Sequence, residues 1–116
     1  MFLVIILFVF TQCKSVPDIT GFDSGRWKED VNGCEGTRMK LAGDLELERQ
    51  KLKGVAESDL VKMLGNPNQV QVMERQQKQY IYWIQNPAQC PGANLEYREL
   101  RIRFSAIGRV TETLFN

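Results

Sequence analysis

The chain contains no histidine, so it lacks the commonest general base and the commonest metal ligand. It also has no Gly-x-Ser-x-Gly elbow, no phosphate-cradling glycine loop and no Cys-x-x-Cys pair, the short signatures of acyl transfer, phosphate binding and structural zinc. Blocks of like charge are missing as well. The 15 basic and 14 acidic residues interleave to a net charge of +1, which leaves no electrostatic footprint for nucleic acid. Any acid–base chemistry would fall to carboxylates such as Glu35, Asp44, Glu57 and Asp59. No two of them are spaced so that their protonation would be split. These absences point away from an enzyme, from a metal or organic cofactor, and from a nucleic-acid partner.

A membrane-spanning run is also missing, because the longest apolar stretch, Phe2 to Phe10, falls well short of the roughly 20 residues a spanning helix needs. Its length suits the apolar core of an export signal, about 7 to 15 residues. Thr11, Gln12 and then Cys13 follow at once. A cysteine just past such a core is where lipoprotein processing attaches diacylglycerol and cuts. This reading makes residues 1–12 a lipoprotein signal peptide, Cys13 the lipidated first residue and the membrane a partner through that lipid. The competing reading is a buried N-terminal element with an ordinary core cysteine. What remains, roughly 100 residues, is one domain with a single modest core.

With Cys13 assigned to lipid, Cys34 and Cys90 form an even pair. Two such cysteines can bond in an oxidising compartment, and closing that loop would destabilise the unfolded chain by roughly 4 kcal/mol. The alternative is two buried thiols acting as small apolar groups. Lys14 to Gly25, with Pro17 and Gly21 among polar residues, reads as a flexible tether spanning 13–25, so the folded domain would occupy 26–116.

At the junction of tether and domain, Asp23 or Ser24 caps a helical turn that carries Trp27, with Gly33 as its stop. Leu41, Leu45 and Leu52 lie at helical spacing and predict an amphipathic helix from Gly36 to Leu52. A second helix is predicted from Glu57 to Leu64, ended by Gly65 and Pro67. Alternation predicts strands over Gln69–Met73 and Gln79–Ile84, with Tyr80, Tyr82 and Ile84 on one face and Ile81 and Trp83 on the other. Further strands are predicted over Tyr97–Ser105 and Val110–Phe115. Helices followed by antiparallel strands give an α+β domain in which two helices pack on one face of a three- to four-stranded antiparallel sheet.

Leu-Lys-Gly at 52–54, Leu-Gly-Asn-Pro at 64–67, the aromatic strand Tyr80–Trp83, Leu-Arg-Ile-Arg-Phe at 100–104 and Ile-Gly-Arg-Val at 107–110 resemble the SmpA/OmlA (BamE-like) family over residues 52–115. Ala56 stands where that family usually has a hydroxyl cap. The resemblance implies a small lipoprotein on the periplasmic face of the outer membrane, with an ααβββ fold. It further implies a non-enzymatic binding or scaffold role within an envelope complex such as outer-membrane protein assembly, with envelope proteins as partners. A second reading is an exported inhibitor or ligand-binding module that uses the open sheet face. Four residues are candidates for partner or lipid contact. Arg98, Arg101 and Arg103 would form a basic stripe on the open face, facing anionic head groups or an acidic partner, unless Glu96 and Glu99 balance them as an ordinary solvated face. Trp83 would be an exposed aromatic beside them.

Overall fold

A computed structural model describes residues 16–92 and 94–116. The elements run α1 (Ser24–Glu29), α2 (Thr37–Leu47), a 3-10 turn (Arg49–Leu52), α3 (Glu57–Leu64), β1 (Gln69–Val72), β2 (Lys78–Gln85), β3 (Arg98–Phe104) and β4 (Val110–Phe115). The four strands form one antiparallel sheet in sequence order β1-β2-β3-β4. Helices precede the sheet and cover one of its faces, which is the α+β arrangement the alternating patterns predict.

Register decides which side chains meet the helices. Tyr80 opposes Ile102 and Tyr82 opposes Leu100. These four join Ile84, Phe104 and Val110 against Trp27 of α1, Leu41 and Leu45 of α2, and Leu60, Met63 and Leu64 of α3. Trp27 is wholly buried, and its ring meets Tyr82 edge-on at 6.3 Å. Such a T-shaped contact adds to plain area burial.

The predicted tether ends much earlier than residue 25. Ile19 is 5% exposed within the core, Phe22 packs against that cluster, and the Phe22 ring sits 5.8 Å from Trp27. Glu48 accepts from the Thr20 amide at 2.6 Å, while Lys51 donates to the Asp18 carbonyl at 3.0 Å. The domain therefore includes residues 18–25. Two isolated apolar residues among polar ones have no periodicity, and only tertiary packing shows their use.

The predicted first long helix is also shorter than its pattern. It ends at Leu47, whose side chain is 87% exposed, and the 3-10 turn then redirects Leu52 into the core. This turn brings Gly54 to the sheet edge, where its amide donates to the Val110 carbonyl at 2.8 Å. A helix continued through 52 would carry the chain past that edge.

Helix α3 has the bounds its sequence predicts, although Ala56 offers no side-chain cap. The tight turn between β3 and β4 supplies one instead. The Gly108 carbonyl accepts from the Glu57 amide at 2.9 Å, which satisfies a backbone donor left over at the helix start. At the other end, three side chains serve the orphan carbonyls: Lys28 Nζ donates to Lys62 O, Ser24 Oγ to Met63 O and Tyr82 Oη to Gly65 O. Among the described residues no helix is long and apolar enough to cross a membrane.

Candidate functional site

Cys34 and Cys90 are bonded, with their Cα atoms 5.4 Å apart. The bond ties the loop after α1 to the loop after β2. Beside it the Asn86 amide donates to the Asn32 carbonyl at 3.1 Å, and Gly33 lies against the backbone of Ile84. Gly33 has φ +71° but does not stop α1, whose C-cap is Asp30. Its task is close approach to β2 and not, as its place in the sequence suggests, to end the helix. Cys13 lies outside the described residues.

The sheet face turned away from the helices carries Trp83, Arg101 and Arg103, but not Arg98. Glu99 opposes Trp83 and Arg101 opposes Ile81, so alternation puts Arg98 on the other parity, at the start of β3. There its Nε donates to the Asn116 carbonyl at 3.3 Å. The predicted three-arginine stripe is thus a pair, and that pair is largely neutralised. Arg101 bonds Glu99 at 2.9 Å and Arg103 lies 3.6 Å from Glu112. Of the two acids expected to balance the arginines, Glu99 pairs with Arg101, whereas Glu96 is in no ion pair among the described residues and Glu112 of β4 faces Arg103 in its place. Ile81 is 1% exposed although no helix covers this face. Its cross-strand neighbours are Arg101 on β3 and Gln69 on β1. Trp83 is half-buried and Tyr97 half-exposed at the same end.

The densest polar constellation centres on a residue that sequence patterning did not single out. Arg38, on α2, is 2% exposed. Its Nε donates to the Trp27 carbonyl at 2.8 Å. Its Nη1 donates to Val31 O at 3.1 Å, Asn68 Oδ1 at 3.0 Å and Trp83 O at 3.0 Å. The guanidinium carbon stands 4.8 Å from the centre of the Trp27 ring, a cation–π contact. Asn68 completes the junction, with Nδ2 donating to Val31 O and Oδ1 accepting from the Trp83 amide. Buried Asp30 accepts from the Glu35 and Arg38 amides, capping the start of α2, which begins at a glycine. One cation therefore holds α1, its following loop, α2, the α3–β1 loop and β2 together. All its direct acceptors are neutral oxygens, and burial pushes its pKa down to about 10 despite the nearby Asp30.

Removing Arg38 takes a donor from oxygens in four segments. Val31 O keeps Asn68 Nδ2 and Asn68 Oδ1 keeps the Trp83 amide, so the cost, up to a few kcal/mol per buried group left unmet, falls mainly on the Trp27 and Trp83 carbonyls and on the packing of the junction. We expect Arg38→Met, which keeps much of the stem volume, to lose about 3 kcal/mol. Urea unfolding midpoints check this, and a loss below about 1 kcal/mol would show the junction to be redundant.

Base should unfold the domain for a related reason. The Tyr82 hydroxyl is held well above its ordinary value of 10, first by burial and then by Tyr80. The Tyr80 hydroxyl is held above it by burial and by its hydrogen bond to Glu57. The folded state keeps these two protons when the unfolded state has released them, so their contribution is complete below pH 10 and is lost as pH rises beyond it. Arg38 acts with the opposite sign, since burial lowers its pKa in the folded state and the unfolded chain keeps the proton to higher pH, but it is one group against two. Stability should therefore fall above pH 10. Tyrosinate absorbance should appear together with the loss of near-UV circular dichroism, and two tyrosinates forming in a still-folded protein would contradict the argument.

Above Arg38 lies an open cleft of about 480 Å³ between the α1–α2 loop and the α3–β1 loop, lined by Lys28, Val31, Leu64, Asn66, Pro67 and Trp83 among others. Among the described residues no three histidine, cysteine, aspartate or glutamate side chains gather as metal ligands would. Comparison of the chain with protein-family models, with curated proteins and with solved structures finds no match.

Proposed function

We propose that the chain is a lipid-anchored binding module of the bacterial envelope. It is cut before Cys13 and held by diacylglycerol at the periplasmic face of the outer membrane, where it contacts proteins of an assembly-type complex without doing chemistry of its own. The Cys34–Cys90 bond carries this reading. It uses two of the three cysteines, it suits an oxidising compartment, and it leaves Cys13, placed just after the apolar run, as the thiol for lipid. The resemblance to SmpA/OmlA proteins adds the order of helices and strands that such lipoproteins have, while a fold alone assigns no partner. The sheet face turned away from the helices, with Trp83 and Tyr97 at one end, offers the mixed aromatic and charged surface that protein contacts favour.

The decisive measurement is the non-reduced mass of the protein recovered from membranes of an expressing bacterium. A chain starting at diacylated Cys13, lighter than its reduced form by two hydrogens, is expected. Cys13→Ala should abolish the lipid mass and release most of the protein from the membrane pellet. An intact Met1 without lipid and with three free thiols would remove both the anchor and the envelope role.

A further inference from the structure

We infer that the cleft above Arg38 is a receptor for a carboxylate carried beside an apolar side chain, the chemistry of a peptide's C-terminal end. The cleft has two cations, Lys28 and Arg38, and no aspartate or glutamate among its lining residues. Asp30, whose charge favours the Arg38 cation, turns its carboxylate oxygens to two backbone amides at the start of α2 and not to the guanidinium. Arg38 Nε and Nη1 are satisfied by neutral oxygens. Nη2 has no acceptor among the described residues, yet it is not one of the enclosed, unpartnered atoms. By elimination it is the guanidinium donor available to the cleft, of whose wall Arg38 is part.

A buried guanidinium whose direct acceptors are all neutral oxygens is costly to hold, and an arriving carboxylate would give it a charged direct partner through a charge-assisted hydrogen bond. Lys28 Nζ spends one of its three hydrogens on the Lys62 carbonyl at 2.6 Å, leaving others for a second carboxylate oxygen. Its stem lies along Gly65, where an added Cβ would sit 3.2 Å from Lys28 Cγ, so the ammonium is held at the rim. Val31, Leu64, Pro67 and the half-buried Trp83 make an apolar part of the wall, beside Asn32, Asn66 and Asn68. A free phosphate would leave that wall unused, and an apolar group alone would leave Nη2 unmet.

This inference stands apart from the envelope reading, because binding is read on the protein alone and would survive a finding that Cys13 carries no lipid. The test follows amide NMR shifts of the isotope-labelled, disulfide-bonded full chain in detergent micelles during titration with N-acetyl-leucine and, separately, with N-acetyl-leucinamide. The acid should give saturable millimolar shifts centred on Asn66, Asn68 and Trp83, and the amide should bind about tenfold more weakly. Lys28→Glu, at an exposed position, also removes the donor to Lys62 O; it should weaken the acid by about tenfold while leaving resonances outside the cleft and the end of α3 in place. Equal binding of acid and amide, shifts that do not saturate or that map elsewhere, or an unchanged affinity in Lys28→Glu would each overturn the assignment.

Discussion

Gly33→Ala should cost the domain about 5 kcal/mol, a large share of what a domain this small possesses. Two effects combine at this position. The backbone has φ +71°, a left-handed conformation that costs a residue with a Cβ about 1 kcal/mol or more. The Cβ itself would stand 2.1 Å from the Ile84 carbonyl oxygen and 2.8 Å from the Gln85 Cα. Those are backbone atoms of a central strand, which cannot swing aside as a side chain can. Relief would have to come from the loop, which would lift off β2 and strain both the Asn86–Asn32 hydrogen bond and the Cys34–Cys90 bridge. Gly36→Ala provides the control. Its φ is +77°, yet nothing lies within 4 Å of the added carbon, so it isolates the conformational part at about 1 kcal/mol. Urea midpoints of the two variants, with the disulfide intact, should differ by several kcal/mol. Equal losses would mean that the loop gives way without penalty.

Where local chemistry is self-sufficient, the structure was readable in the residues. Helix α3 ends at Gly65 because that glycine adopts φ +74° and Pro67 cannot continue a helix. Strand β4 spans its predicted residues, and the two faces of β2 follow from a strict period of two. What escaped reading depends on partners distant in sequence. Ile19 finds its place only once α2 and α3 exist. The end of α2 is set by the need to deliver Gly54 to the edge of β4, while the Leu41–Leu45–Leu52 spacing continues in helical phase past the break. The register error at Arg98 has a simpler origin, since three arginines at 98, 101 and 103 cannot all share one face of a regular strand, and only the last two have matching parity.

The cleft was the least legible feature. Arg38 lies in a helix with other charges, and nothing in local spacing separates a buried arginine from a solvated one. Its burial follows from how the α1–α2 loop is folded back on β2 by Gly33 and the disulfide. That loop supplies the Val31 carbonyl, while β2 supplies the Trp83 carbonyl. The candidate site is thus a product of tertiary closure, and the residues that close it, Gly33, Cys34 and Cys90, stand outside its lining.

Removing the disulfide, by Cys34→Ala with Cys90→Ala, should lower stability by about 4 kcal/mol while leaving the native structure in place. The bridge spans a sequence separation of 56, enclosing α2, α3, β1 and β2, and on the loop-entropy account its effect lies mainly in the unfolded ensemble it restricts. The native loops have other fastenings at the same place, since the Gly33 amide bonds the Asp30 carbonyl, the Asn86 amide bonds Asn32 O, and Arg38 bonds Val31 O. The variant should therefore keep its near-UV circular dichroism and amide spectrum in the absence of denaturant. Its urea midpoint should fall, and its m-value should rise because the unbridged unfolded chain exposes more surface. The cleft should retain its shape as well, with the N-acetyl-leucine shifts intact. A midpoint within about 1 kcal/mol of the parent protein would reject the unfolded-state account. Loss of native dispersion before any denaturant is added would show instead that the bridge clamps the α1–α2 loop to β2, and that Arg38 cannot hold the junction alone.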